Sequence, residues 1–398
     1  MTISNRGRAK RALIIGGGVA GPAAAIALQR AGVPATVFEA SDGPRDEAGA
    51  FLNLAPNGLH VLESLGLGTA IDDLGFVNDR LIFYNDAGRA LAEVAVGGVT
   101  AMRGALSRRL REAAVAQGVS VAFGKRLTAI TRHGDGVAAA FEDGTEALGD
   151  LLIGADGIRS RVRTCAFPEG PSPAYTGVLN LGGVVRTGLP ATGRAMHMVF
   201  GRRGFFGYAV RPSGDTYWFS NLQEPADQLP REAASVDSER YRLRLREVHR
   251  DDPPAVRQII DALDGPIGAY AIDDLPPLRC WHQDRVCLIG DAAHAIGPHV
   301  GQGASLALED AFLLAKALRD VADVPAAFAA FERLRRGRVE PIVKQSRRTG
   351  KQKAPSGWLG RAMRDLLLPV FLRHSARGAG EMYRYRPTWD APFAADAA

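Results

Sequence analysis

Three glycines in the string GGGVAG, Gly16, Gly18 and Gly21, match the G-x-G-x-x-G spacing that lets a backbone wrap a phosphate. Each answers a different steric demand. Gly16 permits the tight turn, Gly18 lets a pyrophosphate approach the main chain, and Gly21 lets a helix pack closely on a strand. The helix beginning around Ala20 then offers its free amides and its dipole to the phosphates. Glu39 lies eighteen residues beyond Gly21, close to the roughly 20-residue offset at which a carboxylate accepts hydrogen bonds from an adenosine ribose. The pattern specifies a dinucleotide and leaves open which one.

Such a turn works only between a strand and a helix. Arg11 to Ile15 reads as a short buried strand, Val19 to Arg30 as a helix ended by Gly32, and Pro34 to Phe38 as a second strand. This βαβ order implies a parallel sheet with its ligand at the carboxyl ends of the strands. Leu106 to Gln117 reads as a helix, and Val119 to Phe123, Val137 to Phe141 and Leu151 to Gly154 as strands. From about Tyr175 to Leu222 the texture changes. MHMVF, FFGYAV and TYWFSNL, separated by turn residues, predict an antiparallel sheet. Ser238 to His249 is a charged helix. VCLIG at Val286 is again a buried strand, followed by a glycine-rich loop and helices over Ala304 to Leu318 and Ala326 to Ser346.

Two distant segments narrow the choice of dinucleotide. GADGIRSRVR (Gly154 to Arg163) and LIGDAAHAIGPHVGQGASLALEDA (Leu288 to Ala311) resemble the Asp-Gly and Gly-Asp fingerprints of the flavoprotein aromatic hydroxylases, the single-component, group A monooxygenases. With the N-terminal glycines they stand in the family's order, and the resemblance covers roughly Arg11 to Arg348. It implies an α/β protein: a Rossmann-like FAD-binding domain, an inserted antiparallel β-sheet substrate domain of the p-hydroxybenzoate hydroxylase type, and a helical C-terminal part. The implied boundaries are 10–75, 100–172 and 276–345 for the FAD-binding domain, 76–99 and 173–275 for the substrate domain, and 346–398 for the C-terminal segment.

The resemblance also implies roles. Asp291 would bind the ribityl hydroxyls with Gly290 allowing close approach, and Pro298 would lie beside the flavin ring. Gly301, Gln302, Gly303 and Ala304 would present amides at the pyrimidine edge, where reduced flavin carries negative charge. Asp156, with Gly157 and Arg159, resembles positions tied to FAD and nicotinamide nucleotide. Read from the residues alone, Asp156 could equally cap the SRVR helix while Arg159 pairs nearby. Gly49 and Ala50 resemble a Gly-Ala pair beside the flavin, followed by Phe51 where relatives usually carry glycine. Arg103 resembles an FAD-contacting arginine, with a surface salt bridge as its other reading. Leu127 stands where relatives supply a backbone contact to adenine. Ser305 replaces a common asparagine.

The chemistry so implied is NADH- or NADPH-dependent reduction of FAD, addition of dioxygen to give a flavin 4a-hydroperoxide, and hydroxylation of an electron-rich aromatic or polyketide-like small molecule. No second G-x-G-x-x-G provides a separate NAD(P)H domain. His299, directly after Pro298, is the candidate acid–base residue, while His294 looks structural. Asn53, His197, Tyr208 and Tyr217 are candidates to face the substrate. Alternation sets Tyr217 and Trp218 on opposite sides of their strand, so at most one of them lines a pocket. Other flavin reactions on the same fold stay open: epoxidation, Baeyer–Villiger insertion, oxidation or reduction. So does a non-catalytic FAD-binding redox protein. The absence of a W-x-W-x-I-P segment disfavours halogenation.

Bulk properties exclude several other classes. The 398 residues suggest two or three domains, and 46% hydrophobic with 23% charged residues is an ordinary globular balance. Three cysteines without a C-x-x-C pair argue against a disulfide framework or a zinc ribbon, so no metal is expected and a reducing cytoplasm is. The basic N-terminus precedes a βα unit rather than a signal-peptide core, and no apolar stretch reaches membrane-span length. Between Arg333 and Arg377 stand 13 basic residues against two acids, which reads as a solvated helix face. No nucleic-acid motif accompanies that run.

Overall fold

The computed structural model describes residues 10–46, 50–68, 74–229, 237–351, 360, 362–369 and 382–393. The chain opens with β1 (Ala12–Ile15), α1 (Ala20–Arg30) and β2 (Ala35–Phe38), then β3 (Phe51–Leu54) and α2 (Pro56–Ser64). Four short strands follow: β4 (Gly75–Val77), β5 (Arg80–Asn85), β6 (Ala90–Ala95) and β7 (Val99–Met102). Next come α3 (Arg103–Ala116), β8 (Ser120–Ala122), β9 (Leu127–His133), β10 (Gly136–Phe141), β11 (Glu146–Gly149), β12 (Leu151–Gly154) and α4 (Arg161–Ala166). The next long strands are β13 (Ala174–Arg186), β14 (Ala195–Phe200), β15 (Phe205–Val210) and β16 (Asp215–Gln223). The remainder holds α5 (Ser238–Val248), α6 (Pro254–Asp261), β17 (Gly268–Asp274), β18 (His282–Gln283), β19 (Val286–Leu288), α7 (Asp291–His294), α8 (Gly303–Asp320) and α9 (Val324–Lys351).

The first strands assemble as the sequence pattern demands. A six-stranded sheet has the order β18-β19-β12-β1-β2-β8, and every pair except the β18–β19 edge is parallel. Its central strand, ALII, is buried at all four positions, as a parallel strand covered on both faces must be. α1 packs on β1 and β2, and α8 packs against α1. Every residue from Ser305 to Leu318 in α8 is buried. The carboxyl ends of β1, β2, β12 and β19 therefore point to one region, where Gly16, Glu39, Ala155 and Asp291 follow them.

A seven-stranded sheet of order β17-β13-β16-β15-β14-β5-β6 forms the second layer. It differs from the all-antiparallel expectation in one pair, because β5 runs parallel to β14 with Arg80 opposite Ala195. The reason is connectivity: β5 and β6 come from a separate, earlier stretch of chain. One face of this sheet is covered by α5 and α6, where Phe206, Tyr208 and Trp218 meet Tyr241, Leu245 and Ile259 in a second core. Beneath that core Ser220 Oγ lies 2.8 Å from His249 Nε2, and His249 Nδ1 lies 2.6 Å from Asp252 Oδ2. This has the order of a hydrolytic triad, yet all three residues are buried and none lines the large cavity between the sheets. It is a structural tie between α5–α6 and the sheet.

The basic C-terminal run is not a uniformly solvated face. Arg335 is fully buried between Glu309 and Asp310, Arg338 also pairs with Glu309, and Arg336 pairs with Glu332 and Glu340. Arg347 reaches Asp274 on β17. Arg335, Arg338 and Arg347 are thus paired with acids distant in sequence, while Arg333, Lys344 and Arg348 are exposed. Among the described residues no helix is long and apolar enough to cross a membrane.

Candidate active site

A cavity of about 1360 Å³ separates the two layers. At one end it is bordered by Glu39, Lys125, Arg126 and Leu127, and along its floor by Gly16, Gly18, Val19 and Ala20. Arg103, Asp156 and Asp291 flank the middle. Pro298 and the Gly301–Ala304 turn close the far end, facing Ala50, Phe51 and Asn53. Three chain segments each more than a hundred residues from the next therefore meet around one elongated space.

The glycines match their steric assignments. Gly16 has φ +112°, and a side chain there would run into the Ala155 carbonyl. A methyl on Gly21 would collide with the Gly16 carbonyl, so its absence is what closes α1 onto the turn. Around Gly18 no atom lies within 4 Å of a Cβ position, which leaves an open cradle on the cavity floor. Glu39 braces this turn: its Oε2 accepts from the Gly17 amide at 2.7 Å and its Oε1 from the Ser41 amide at 2.9 Å.

Asp291 opens α7, and its carboxylate has no hydrogen-bond partner among the described residues. It is available to a ligand. Arg103 likewise has no acidic partner among them, and it begins α3 at the cavity wall. Asp156 borders the cavity too, but its carboxylate is engaged by α4, accepting from the Arg161 amide at 2.7 Å, the Val162 amide at 3.0 Å and the Ser160 hydroxyl. Burial acts to raise its pKa against those hydrogen bonds. Arg159 pairs with Asp273 at 3.3 Å. The capping arrangement read from the residues is thus present.

The Gly-Asp segment is held from beneath by a charge network that sequence reading missed. Asp310 accepts from the Gly290 amide at 2.8 Å, from Arg335 at 2.6 Å, and sits 2.6 Å from His294 Nε2. Burial alone would raise the Asp310 carboxyl; the His294 and Arg335 charges outweigh it and hold it at about 2. Glu309 binds Arg335 at 2.7 Å and Asn57 at 2.7 Å, and Asn57 in turn donates to Gln302 Oε1 at 2.9 Å. The Gln302 side chain therefore points into the protein, leaving the backbone of Gly301–Ala304 and the amino end of α8 toward the cavity. The visible signal was two acids, Glu309 and Asp310, inside an otherwise apolar helix. Ser305, in place of asparagine, accepts from the Ala55 amide at 3.1 Å, and Gly58 leaves room for it.

On the sheet side two expectations are corrected. His197 and Tyr208 do not face the cavity: they lie 3.1 Å apart, Nδ1 to hydroxyl, on the opposite side of the sheet. Burial lowers the His197 pKa and raises that of Tyr208 to about 12, so both are neutral partners. The strand alternation instead turns Met196, Met198 and Phe200 toward the cavity. Tyr217 is on the cavity-facing side, opposite Trp218, but is packed edge-on against Phe51 and tilted against Phe76 rather than exposed to the space. Phe51, the departure from glycine, stacks edge-on against Tyr217 and Phe219 and narrows the mouth from that side. Asn53 borders the cavity with its Oδ1 buried and unpartnered. Gly49 lies outside the described residues, as does the side chain of His299, whose neighbours Pro298 and Val300 border the cavity.

The residues fit FAD on the structure's own terms: an open glycine cradle, free carboxylate and guanidinium groups along its wall, and a helix amino end at its head. The family model described as FAD binding domain matches residues 10–346. The aurachin C monooxygenase/isomerase of Stigmatella aurantiaca is 31% identical over 349 residues, covering 85% of this chain and 88% of that protein. The FAD-dependent urate hydroxylase of Klebsiella pneumoniae is 30% identical over 349 residues, covering 85% and 89%. A crystal structure of Klebsiella pneumoniae HpxO complexed with FAD and uric acid superposes with a TM-score of 0.82 at 27% identity, covering 94% of this chain and 96% of that one. The chain belongs to this FAD-binding family of aromatic-hydroxylase-type flavoproteins. It is an FAD-dependent monooxygenase.

Proposed function

We propose that the protein hydroxylates a small aromatic molecule, taking electrons from NADH or NADPH and oxygen from dioxygen. The observation that carries this reading is the single cavity that runs from the FAD-binding turn to the second sheet, so one space can hold cofactor and substrate together. Bound FAD supplies the two-electron reduction by nicotinamide and the activation of dioxygen. The protein's own contribution is positional and electrostatic. Gly16, Gly18, Ala20 and Gly21 shape the diphosphate seat, Glu39 and Leu127 border the adenosine end, and Arg103 and Asp291 hold the middle. Ala50 and Pro298 flank the ring site. The amino end of α8 at Gly303 and Ala304 favours negative charge on the ring edge beside it. The apolar sheet face keeps bulk water from the reacting region.

His299 is the acid–base candidate, because its neighbours on both sides border the cavity. His299→Ala should change coupling or turnover more than FAD content, and an unchanged rate removes it from the reaction. The three free cysteines support a reducing cytoplasm as the compartment. The decisive experiment measures NADH and NADPH oxidation and oxygen uptake with and without aromatic candidates, with product mass. Substrate-stimulated uptake and a product heavier by one oxygen support the reading. Tight FAD with no stimulated uptake refutes it and favours a redox carrier.

A further inference from the structure

The cavity-facing side of the seven-stranded sheet carries a polar spot. Asn180 on β13 stands directly opposite Asn221 on β16, and its Nδ2 donates to Asn221 Oδ1 at 2.7 Å. Both residues line the cavity, while their chain neighbours Leu179 and Leu222 turn into the core under α5 and α6. Neither amide has a further side-chain partner among the described residues. Nor is either sealed: both residues are half-buried, and no atom of either is both buried and unpartnered. Their mutual bond uses one N–H and one carbonyl, so the pair keeps an open acceptor, Asn180 Oδ1, and an open donor, Asn221 Nδ2. Turning both amides over exchanges the two roles and leaves the same outward set.

The spot lies toward the end of the cavity proposed for the flavin ring. Asn221 follows Phe219 by two residues on the same face, about 7 Å along the strand, and the Phe219 ring meets Phe51, the neighbour of Ala50. The cross-strand row through the pair runs Tyr270, Asn180, Asn221, Phe205, Phe200, and all five line the cavity. None of them is charged. Arg364, over the Phe200 ring at the far end of the row, is paired with Asp365 at 2.7 Å, and Arg159, beside β17, is paired with Asp273 at 3.3 Å. A carboxylate brought to this row would lose hydration without gaining a free cation. An apolar ring edge would strip water from the two amides and return no hydrogen bond. The group that satisfies both is neutral and carries a donor and an acceptor close together.

We infer that Asn180 and Asn221 together select the substrate, and that they select an aromatic heterocycle with an amide edge. One asparagine accepts from the ring N–H of such a lactam while the other donates to its C=O. Phe205 and Phe219 bound the flat ring on one side and Tyr270 on the other. This rests on the monooxygenase reading for its site and adds the substrate class. The row belongs to the sheet across from the glycine turn, so these contacts draw on none of the residues assigned to FAD.

The test is binding to the FAD-loaded protein, read as perturbation of the flavin absorbance. The probes are of similar size: 2-quinolone, 1-methyl-2-quinolone, which lacks the donor, and 2-naphthoate, which is anionic. We expect 2-quinolone to bind about tenfold or more tighter than either, since each of the others leaves an amide unsatisfied. Asn180→Ala should bring 2-quinolone and its methyl derivative to within about threefold of each other at constant FAD content, because the methyl group then differs in bulk alone. Asn221→Asp keeps the shape and the bond from Asn180 but turns the open donor into an acceptor, so 2-quinolone affinity should drop about tenfold or more. Equal binding of 2-quinolone and 2-naphthoate overturns the inference. So does an undiminished preference in Asn180→Ala, an undiminished affinity in Asn221→Asp, or FAD loss in place of altered probe binding. Lactam binding that responds to both variants, with no oxygen uptake stimulated by any aromatic, upholds the pair and removes the monooxygenase reading. Uptake stimulated by phenol or naphthoate and not by lactams keeps that reading and overturns this one.

Discussion

The backbone amide of Gly290 donates to Asp310 Oδ2 at 2.8 Å, so the turn presenting Asp291 is anchored by a carboxylate on the central helix. The same carboxylate holds His294 and Arg335. Asp310→Ala should therefore leave Arg335 as an incompletely compensated buried charge and free the turn at once. A loss of about 3–5 kcal/mol is expected for breaking such a buried pair. Urea unfolding and FAD content should both fall; a fully loaded, equally stable variant would show that the anchor is dispensable.

Acid sensitivity follows from the same group. The Asp310 and Glu332 carboxyls are both held at about 2; in each case burial opposes ionisation but is outweighed, by His294 and Arg335 for the first and by His282, the Trp281 amide and Arg336 for the second. Their folded values lie below the unfolded ones of about 4. Their stabilisation is accordingly complete above about pH 4 and is lost as the pH falls toward 2. Circular dichroism of unfolding between pH 6 and 2 should show a steep loss below pH 4, reduced in an Asp310→Asn variant. A flat profile would contradict the ionised network.

Two glycine substitutions should separate binding from folding. Gly18→Ala places a methyl in open space on the cavity floor, so FAD affinity should fall by about tenfold or more with the apoprotein's melting point nearly unchanged. Gly21→Ala drives a methyl into the Gly16 carbonyl, so the melting point itself should drop. Matched behaviour of the two variants would refute the distinction.

Asp291→Ala removes a carboxylate with no partner among the described residues. FAD retention through gel filtration should decline markedly while apoprotein stability holds. Full occupancy with normal turnover would take the ribityl contact away from this residue.

Ser220→Ala breaks the buried Ser220–His249–Asp252 chain and leaves an imidazole nitrogen unsatisfied, at a cost of about 1–3 kcal/mol. Hydroxylation kinetics should be unchanged and no ester hydrolysis should be lost, since none is expected from a sealed triad. A selective loss of turnover at full stability would refute the structural role.

Much of the FAD-binding half was legible because its constraints are local. Gly21 and Glu39 each answer a demand set within forty residues of chain, and ALII is buried throughout as a parallel strand must be. The substrate layer was less legible. Period-2 alternation assigns Met196 and His197 to opposite faces, yet in FFGYAV all six residues are buried, so polarity does not say which face looks onto the cavity. That depends on where α5 and α6 dock, a tertiary fact. The basic run was legible only in part for a related reason: Arg333, Lys344 and Arg348 are exposed as expected, but the acids that pair with Arg335 and Arg347 lie on α8 and β17, too far away in sequence for charge counting to pair them.

The parallel seam between β14 and β5 joins segments separated by more than a hundred residues. An excised fragment of residues 173–275 would lack its neighbour and present Ala195–Phe200 as a bare, hydrophobic strand edge. Such a fragment would self-associate rather than stay monomeric, so grafting this substrate-side sheet onto another scaffold requires moving two non-adjacent coding stretches together.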